Sequence, residues 1–202
     1  QNIDPIKYKD KIQNNIMSEW NNAAEIDGQG NVTNVKGMVN IGRNVPIVFD
    51  VRVEVVSPER ASEIAENNKI NGDYSLNFME LVDGGRGSEV PRNNTGYFDI
   101  KDLDKKTNTP AHEFGHLLGY LFTGPSTDNS DHAPDNENRS MMFRPILIGE
   151  TEKEKDIIKS QRRVTTKDIF RINLNKGFKN FEKQKQNVGG KPDNIIVDQS
   201  FR

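Results

Sequence analysis

The sequence has 202 residues, enough for one sizeable domain with its own core. A formal net charge of −2 and a pI near 6.0 leave no electrostatic footprint for nucleic acid, and no run of apolar residues is long enough to cross a membrane. The absence of cysteine excludes disulfides, thiol catalysis and zinc–thiolate sites, while 29% charged residues and a mean hydropathy of −0.80 imply long solvated loops.

From the N-terminus, Asp4-Pro5 reads as a helix start, and Ile6, Ile12, Ile16, Met17 and Trp20 give a helical stripe to about Asn22. A turn at Asp27 to Gly30 leads into a weakly strand-like stretch, Asn31 to Val39. Ile47 to Val55 is the clearest strand: Ile47, Phe49, Val51, Val53 and Val55 alternate with a mostly charged set, as in a sheet with one covered face or a strand near an edge. Ser57-Pro58-Glu59 begins a short helix ending at Asn67-Asn68. Tyr74 to Val82 is a second strand, with Tyr74, Leu76 and Phe78 on one side. The glycine-rich Asp83 to Ser88 lacks the ending of a phosphate loop and reads as a turn or rim. Thr95 to Ile100 is a third strand, and Lys101 to Asn108 a polar connector.

Thr109 to Gly119 carries the chemistry. His112-Glu113-Phe114-Gly115-His116 is an H-E-x-x-H pattern, and on a helix residues i and i+4 share a face, so two imidazoles meet at one point. Glu113 adjoins the first of them, placed to take a proton from water activated at a metal. Thr109 is the expected N-cap and Pro110 the first helical residue, while Phe114, Leu117, Leu118 and Leu121 would bury the opposite face. All three histidines of the chain fall between 112 and 132. Catalytic zinc takes three protein ligands and keeps one position open, which makes His132 the expected third ligand. Gly119 lets the chain leave the helix through a left-handed turn.

His-Glu-x-x-His-x-x-Gly resembles the metzincin clan of zinc peptidases. That pattern ordinarily continues to a His or Asp three residues past the glycine; Phe122 stands there in this chain, so a longer loop from Tyr120 to Asp131 would deliver His132, and because some of the clan use Asp, the resemblance leaves Asp128 or Asp131 as alternatives. Ser140-Met141-Met142-Phe143-Arg144-Pro145 resembles the clan's Met-turn, with Met142 the better match and Met141 the other choice; the alternative for both is ordinary core filling. Glu150 to Lys159 reads as a charged helix. Val164 to Ile172 begins with a Thr-x-x-Asp capping pattern and resembles the C-terminal helix of matrixin-like domains.

The resemblance implies an α/β (α+β) fold: a small mixed twisted sheet, an active-site helix, a Met-turn and a C-terminal helix. Residues 1–176 would form one catalytic domain and 177–202 a tail. It also implies a zinc-dependent endopeptidase with Glu113 as general base and one catalytic Zn2+ on His112, His116 and His132. The substrate would be an extended polypeptide bound along an edge strand, guessed to lie in 85–100. The expected state is a monomer, without nucleic-acid or membrane partners. The acidic loop with Asp128, Asp131, Asp135 and Glu137 makes a structural Ca2+ conceivable, but it has no EF-hand spacing. Val55-Val56-Ser57-Pro58-Glu59, the metal helix and the late methionines together resemble the metallopeptidase domains of bacterial RHS-type polymorphic toxins, which implies an excised effector with a cognate inhibitor or immunity protein. A free secreted bacterial protease is the equal expectation. Because the chain opens on Gln1, it would be processed or excised and exported, with its signal segment elsewhere. The competing readings are a gluzincin-type peptidase using Glu137 and a metal-binding recognition module that does not cut.

Overall fold

The computed structural model describes residues 3–27, 32–34, 38–40, 44–71, 76–85, 87–90, 95–105, 107–120, 132–134, 137–144, 151–172 and 194–201. Its centre is a four-stranded sheet made of β5 (Phe49–Val56), β8 (Asn194–Phe201), β6 (Leu76–Val82) and β7 (Thr95–Asp99), in that order. β6 and β7 run parallel, and β8 is antiparallel to both its neighbours. β8 lies within the expected tail. Its Ile195-Ile196-Val197 run suits a strand, but only a pairing with β5 and β6 gives it a place. Two small hairpins, β1 (Ala24–Ile26) with β2 (Val32–Asn34) and β3 (Met38–Asn40) with β4 (Asn44–Pro46), form separate two-stranded sheets, so the expected single stretch at 31–39 is split between them.

Helix α1 (Pro5–Trp20) packs on the sheet as its Asp4 cap and Pro5 foretell. Its buried stripe is Tyr8, Ile12, Ile16 and Trp20; Ile6 is 70% exposed, because a spacing of four from Trp20 runs back to Tyr8 and misses Ile6. β5 buries Phe49, Val51 and Val53 toward α1 and sits at an edge, one of the two placements its alternation allows. β6 departs from simple alternation: Asn77, Phe78 and Met79 are buried in succession. Met79 and Leu81 join the main core, while Phe78 meets Ala61 of α2 (Pro58–Asn71), with Ile64 and Leu76 packed against that pair. The sheet is therefore covered on both faces at β6, and the expected Leu76–Phe78 side proves to be the lesser of the two.

The polar connector contains a short helix, α3 (Ile100–Asp104), capped by Asp99. It leads into α4 (Thr109–Leu117), followed by α5 (Glu152–Gln161) and α6 (Thr166–Phe170), each of the last two opened by a capping box, Thr151/Glu154 and Thr165/Asp168. Among the described residues no helix is long and apolar enough to cross a membrane.

Candidate metal centre

α4 is held in place chiefly by α1. The Trp20 indole N–H donates to the Ala111 carbonyl at 2.9 Å, and its ring meets Phe49 and Phe114 edge-on at 5.2 and 5.7 Å. The first turn of a helix has unpaired N–H groups, and that of Ala111 is satisfied by the Asn15 side-chain oxygen at 3.0 Å. The expected Thr109 cap is thus corrected: Asn108 occupies the cap position without a side-chain capping bond, and the Thr109 hydroxyl instead shares a hydrogen bond with Thr107 at 2.9 Å. At the far end Gly119 has φ 73°, and the Gly119 and Tyr120 N–H groups bond the His116 and Gly115 carbonyls at 2.9 and 3.1 Å. That pair is a Schellman closure, which only a residue at ease with positive φ completes without strain.

The helix brings His112 and His116 together, and His132 joins them from downstream. The ring centroids are 4.9, 5.4 and 4.8 Å apart, and one nitrogen from each ring lies within 4.8 Å of the other two. Nitrogens around one zinc ion are roughly 3.3 Å apart, so small ring rotations bring all three onto one ion. His112 is buried, and its Nδ1 lies 2.6 Å from the Met141 carbonyl. A carbonyl only accepts, so Nδ1 carries the proton and the Nε2 lone pair is left to ligate. Burial, and then the Arg162 charge, holds the His112 pKa well below its ordinary value, which keeps the imidazole in its neutral, ligating form. A three-imidazole set fits a borderline-soft divalent ion such as zinc.

The second hydrogen-bonded layer comes from the turn at 140–143, closed by the Phe143 N–H on the Ser140 carbonyl at 3.1 Å. Its successive carbonyls support two of the three histidines: Met141 holds His112, and Met142 accepts the N–H of Ala133, next to His132, at 2.9 Å. Met141 and Met142 are fully buried in the main core, and Met142 lies so close under α4 that a β-carbon on Gly115 would fall 2.1 Å from its sulfur. The turn is pinned by buried Asp168, whose carboxylate accepts from the Ser140 hydroxyl at 2.6 Å and the Met141 N–H at 3.3 Å while also capping α6. Burial raises the Asp168 pKa, and these donors oppose the shift.

Glu113 is 5% exposed and accepts a hydrogen bond from the Val90 backbone N–H. Burial pushes its pKa up to about 8, against the pull of Arg162 and Val90. Val90 belongs to the segment that follows the glycine-rich turn, where Glu89 and Tyr97 exchange two backbone bonds of 3.0 Å along the open side of β7. Ser88 anchors that segment, its N–H donating to Asp102 at 2.8 Å. Arg162, also buried, donates to the Phe143 carbonyl at 3.2 Å; burial brings its pKa down to about 10, and Glu113 and Asp102 resist this.

Sequence reading missed Val90, Arg162 and the second duty of Asp168. Only Asp168 carried a local sign, its place in the capping box. Of the alternative ligands, Asp128 and Asp131 lie outside the described residues, as does Asp135 of the calcium reading. Glu137, the ligand of the gluzincin reading, is engaged elsewhere: its carboxylate is taken by Arg171 and Lys167, and it stands in a short turn rather than a helix. A cavity of about 650 Å³ lies between Glu25–Asp27, Asn138–Ser140 and Thr165–Lys167, with no histidine in its lining. In comparisons with family models, curated proteins and solved structures, the chain matches none.

Proposed function

We propose that this chain is a zinc-dependent endopeptidase whose metal ligands are His112, His116 and His132 and whose general base is Glu113. The carrying observation is the convergence of the three imidazoles with Glu113 on the same helix turn as His112. Bound zinc would act as a Lewis acid, acidifying water and polarising the scissile carbonyl. Glu113 takes the proton from the attacking water and hands it to the leaving amine. The Val90 N–H uses one of roughly four lone-pair sites on the Glu113 carboxylate, so the group keeps acceptor capacity for water. Met141 holds the His112 tautomer, and burial excludes bulk water from Glu113. The 140–143 turn, with Met142 beneath α4, supports the likeness to a metzincin Met-turn. The strip at 88–90, outside β7, is the natural edge for an extended polypeptide, which would be read through its backbone.

A second reading, a metal-binding module that recognises polypeptide without cutting it, draws on the burial of Glu113, which leaves the base little contact with solvent. Zinc content of the purified protein, with cleavage of an unfolded protein by wild type, Glu113→Gln and His132→Ala, separates the two. The peptidase reading expects about one zinc per chain, turnover abolished in Glu113→Gln with zinc retained, and zinc weakened in His132→Ala. Zinc uptake without turnover in wild type would establish the module; no uptake at all would refute both.

A further inference from the structure

Arg171 joins two points of the chain that lie on either side of His132 in sequence. One Nη1 donates at 3.0 Å to the hydroxyl of Tyr120, the residue that completes the Schellman closure of α4, and also bonds Glu137, while Nη2 donates to the other Glu137 oxygen at 3.0 Å. Lys167 adds a bond to the same carboxylate at 3.1 Å. Arg171 and Glu137 side chains are 19% and 14% exposed, so solvent and salt screen this fork weakly. From Glu137 the bonding runs back toward the histidine: the Glu137 N–H donates to the Pro134 carbonyl at 2.8 Å, and Pro134 is two residues past His132. It also runs forward, with the Ser140 N–H on the Glu137 carbonyl at 2.8 Å, into the turn that holds His112.

We propose that Arg171 is a positioning residue for His132, clamping Tyr120 to Glu137 so that the third ligand is in place before metal arrives. This rests on the metal reading above. His132 follows His116 by sixteen positions, so its placement near the other two must overcome the closure entropy of that stretch. A clamp that meets this cost on folding leaves zinc less chain to order when it binds, which tightens binding. The planar guanidinium reaches one hydroxyl and two carboxylate oxygens at once; a lysine ammonium, a single point on a flexible stem, does not reproduce that fork.

The test is zinc affinity of the metal-free full chain, measured by competition with a chromophoric chelator, for wild type, Arg171→Met, Arg171→Lys, Tyr120→Phe, Lys167→Met and His132→Ala, plus Arg171→Met in the His132→Ala background. Thermal melts of the metal-free forms run beside it. We expect Arg171→Met and Arg171→Lys to weaken zinc about tenfold or more, Tyr120→Phe to weaken it less, and Lys167→Met to change it under twofold. With His132 already gone, Arg171→Met should cost nothing further, an outcome general destabilisation would not give. Zinc held within twofold of wild type by folded Arg171→Lys or Arg171→Met overturns the inference alone. So does a full Arg171 effect persisting in the His132→Ala background. Should Arg171→Met fail to fold, Arg171→Lys and Tyr120→Phe decide the matter by the same criterion. A wild-type chain that takes up no zinc overturns the metal reading and this inference together.

Discussion

Alanine at position 96 should loosen the strip that carries Val90. A β-carbon there would lie 2.5 Å from the Glu89 carbonyl oxygen, 2.9 Å from a Val90 methyl and 3.1 Å from the Met79 methyl. A relaxed carbon–oxygen contact is about 3.3 Å, so the strip must retreat by about 0.8 Å. The two Glu89–Tyr97 backbone bonds, now 3.0 Å, would stretch to about 3.8 Å, past hydrogen-bonding range. Two such bonds are worth about 1 kcal/mol each, and relief of glycine's chain entropy returns up to about 1 kcal/mol. The net loss is then roughly 1–2 kcal/mol, or about 2–8 °C in Tm for a chain of this size. The consequence for the site is selective. The Val90 N–H withdraws from Glu113, so turnover falls, while no histidine is touched and zinc affinity stays at the wild-type level. Denaturant melts, hydrogen exchange at the Glu89 and Tyr97 amides, zinc titration and turnover of Gly96→Ala check each part. A Gly96→Ala protein as stable as wild type, with those two amides still protected, would refute the reasoning.

Gly115→Ala forces the Met142 sulfur aside from a 2.1 Å approach within a closed core, and overpacking of about 1–3 kcal/mol should outweigh the gain in helix propensity of about 1 kcal/mol; a double-mutant cycle with Met142→Ala in denaturant should show strong coupling, and simple additivity would contradict it. Asp168→Asn deprives the Ser140 hydroxyl, the Met141 N–H and the Thr165 cap of full acceptors, at about 2–4 kcal/mol of stability, with weaker zinc binding as the Met141 carbonyl loses its support; calorimetry and zinc titration read the two effects. Burial opposes ionisation of Glu137, but the bonds from Arg171 and Lys167 prevail and hold its pKa below the ordinary carboxylate value. Its stabilisation is therefore full above about pH 4.3 and fades as pH falls through the lowered folded value. Melts of wild type and Glu137→Gln should differ at pH 7 and converge under strong acid, and a difference that grew with acid would reverse the sign.

The metal helix was legible because its signals are local. Two histidines four apart, Pro110 near the start and Gly119 past the end each act within a turn or two of their own position. His132 was reachable by elimination, being the chain's remaining histidine. What stayed hidden acts across distance. A backbone N–H such as that of Val90 has no letter in the sequence, and its approach to Glu113 depends on how β7 is edged. Arg162 stands beside Arg163 after a charged helix with nothing local to mark it, yet it is buried and donates to the Phe143 carbonyl. Asn15 caps α4 from α1, so a search for the cap beside Pro110 finds only Thr109. β8 shows the same limit at the scale of the sheet: its three β-branched residues mean little until two other strands flank them.

That strand bears on when the fold can be completed. Asp198 pairs with Arg52 on one side and Leu76 on the other, strands that leave a ribosome far ahead of it. The histidines, Glu113 and the 140–143 turn would all emerge while β5 and β6 still present bare edges where β8 belongs. Pairing across such separations is slow and cannot begin before residues 194–201 exist. The four-stranded sheet is therefore closed last, by the segment made after its other three strands.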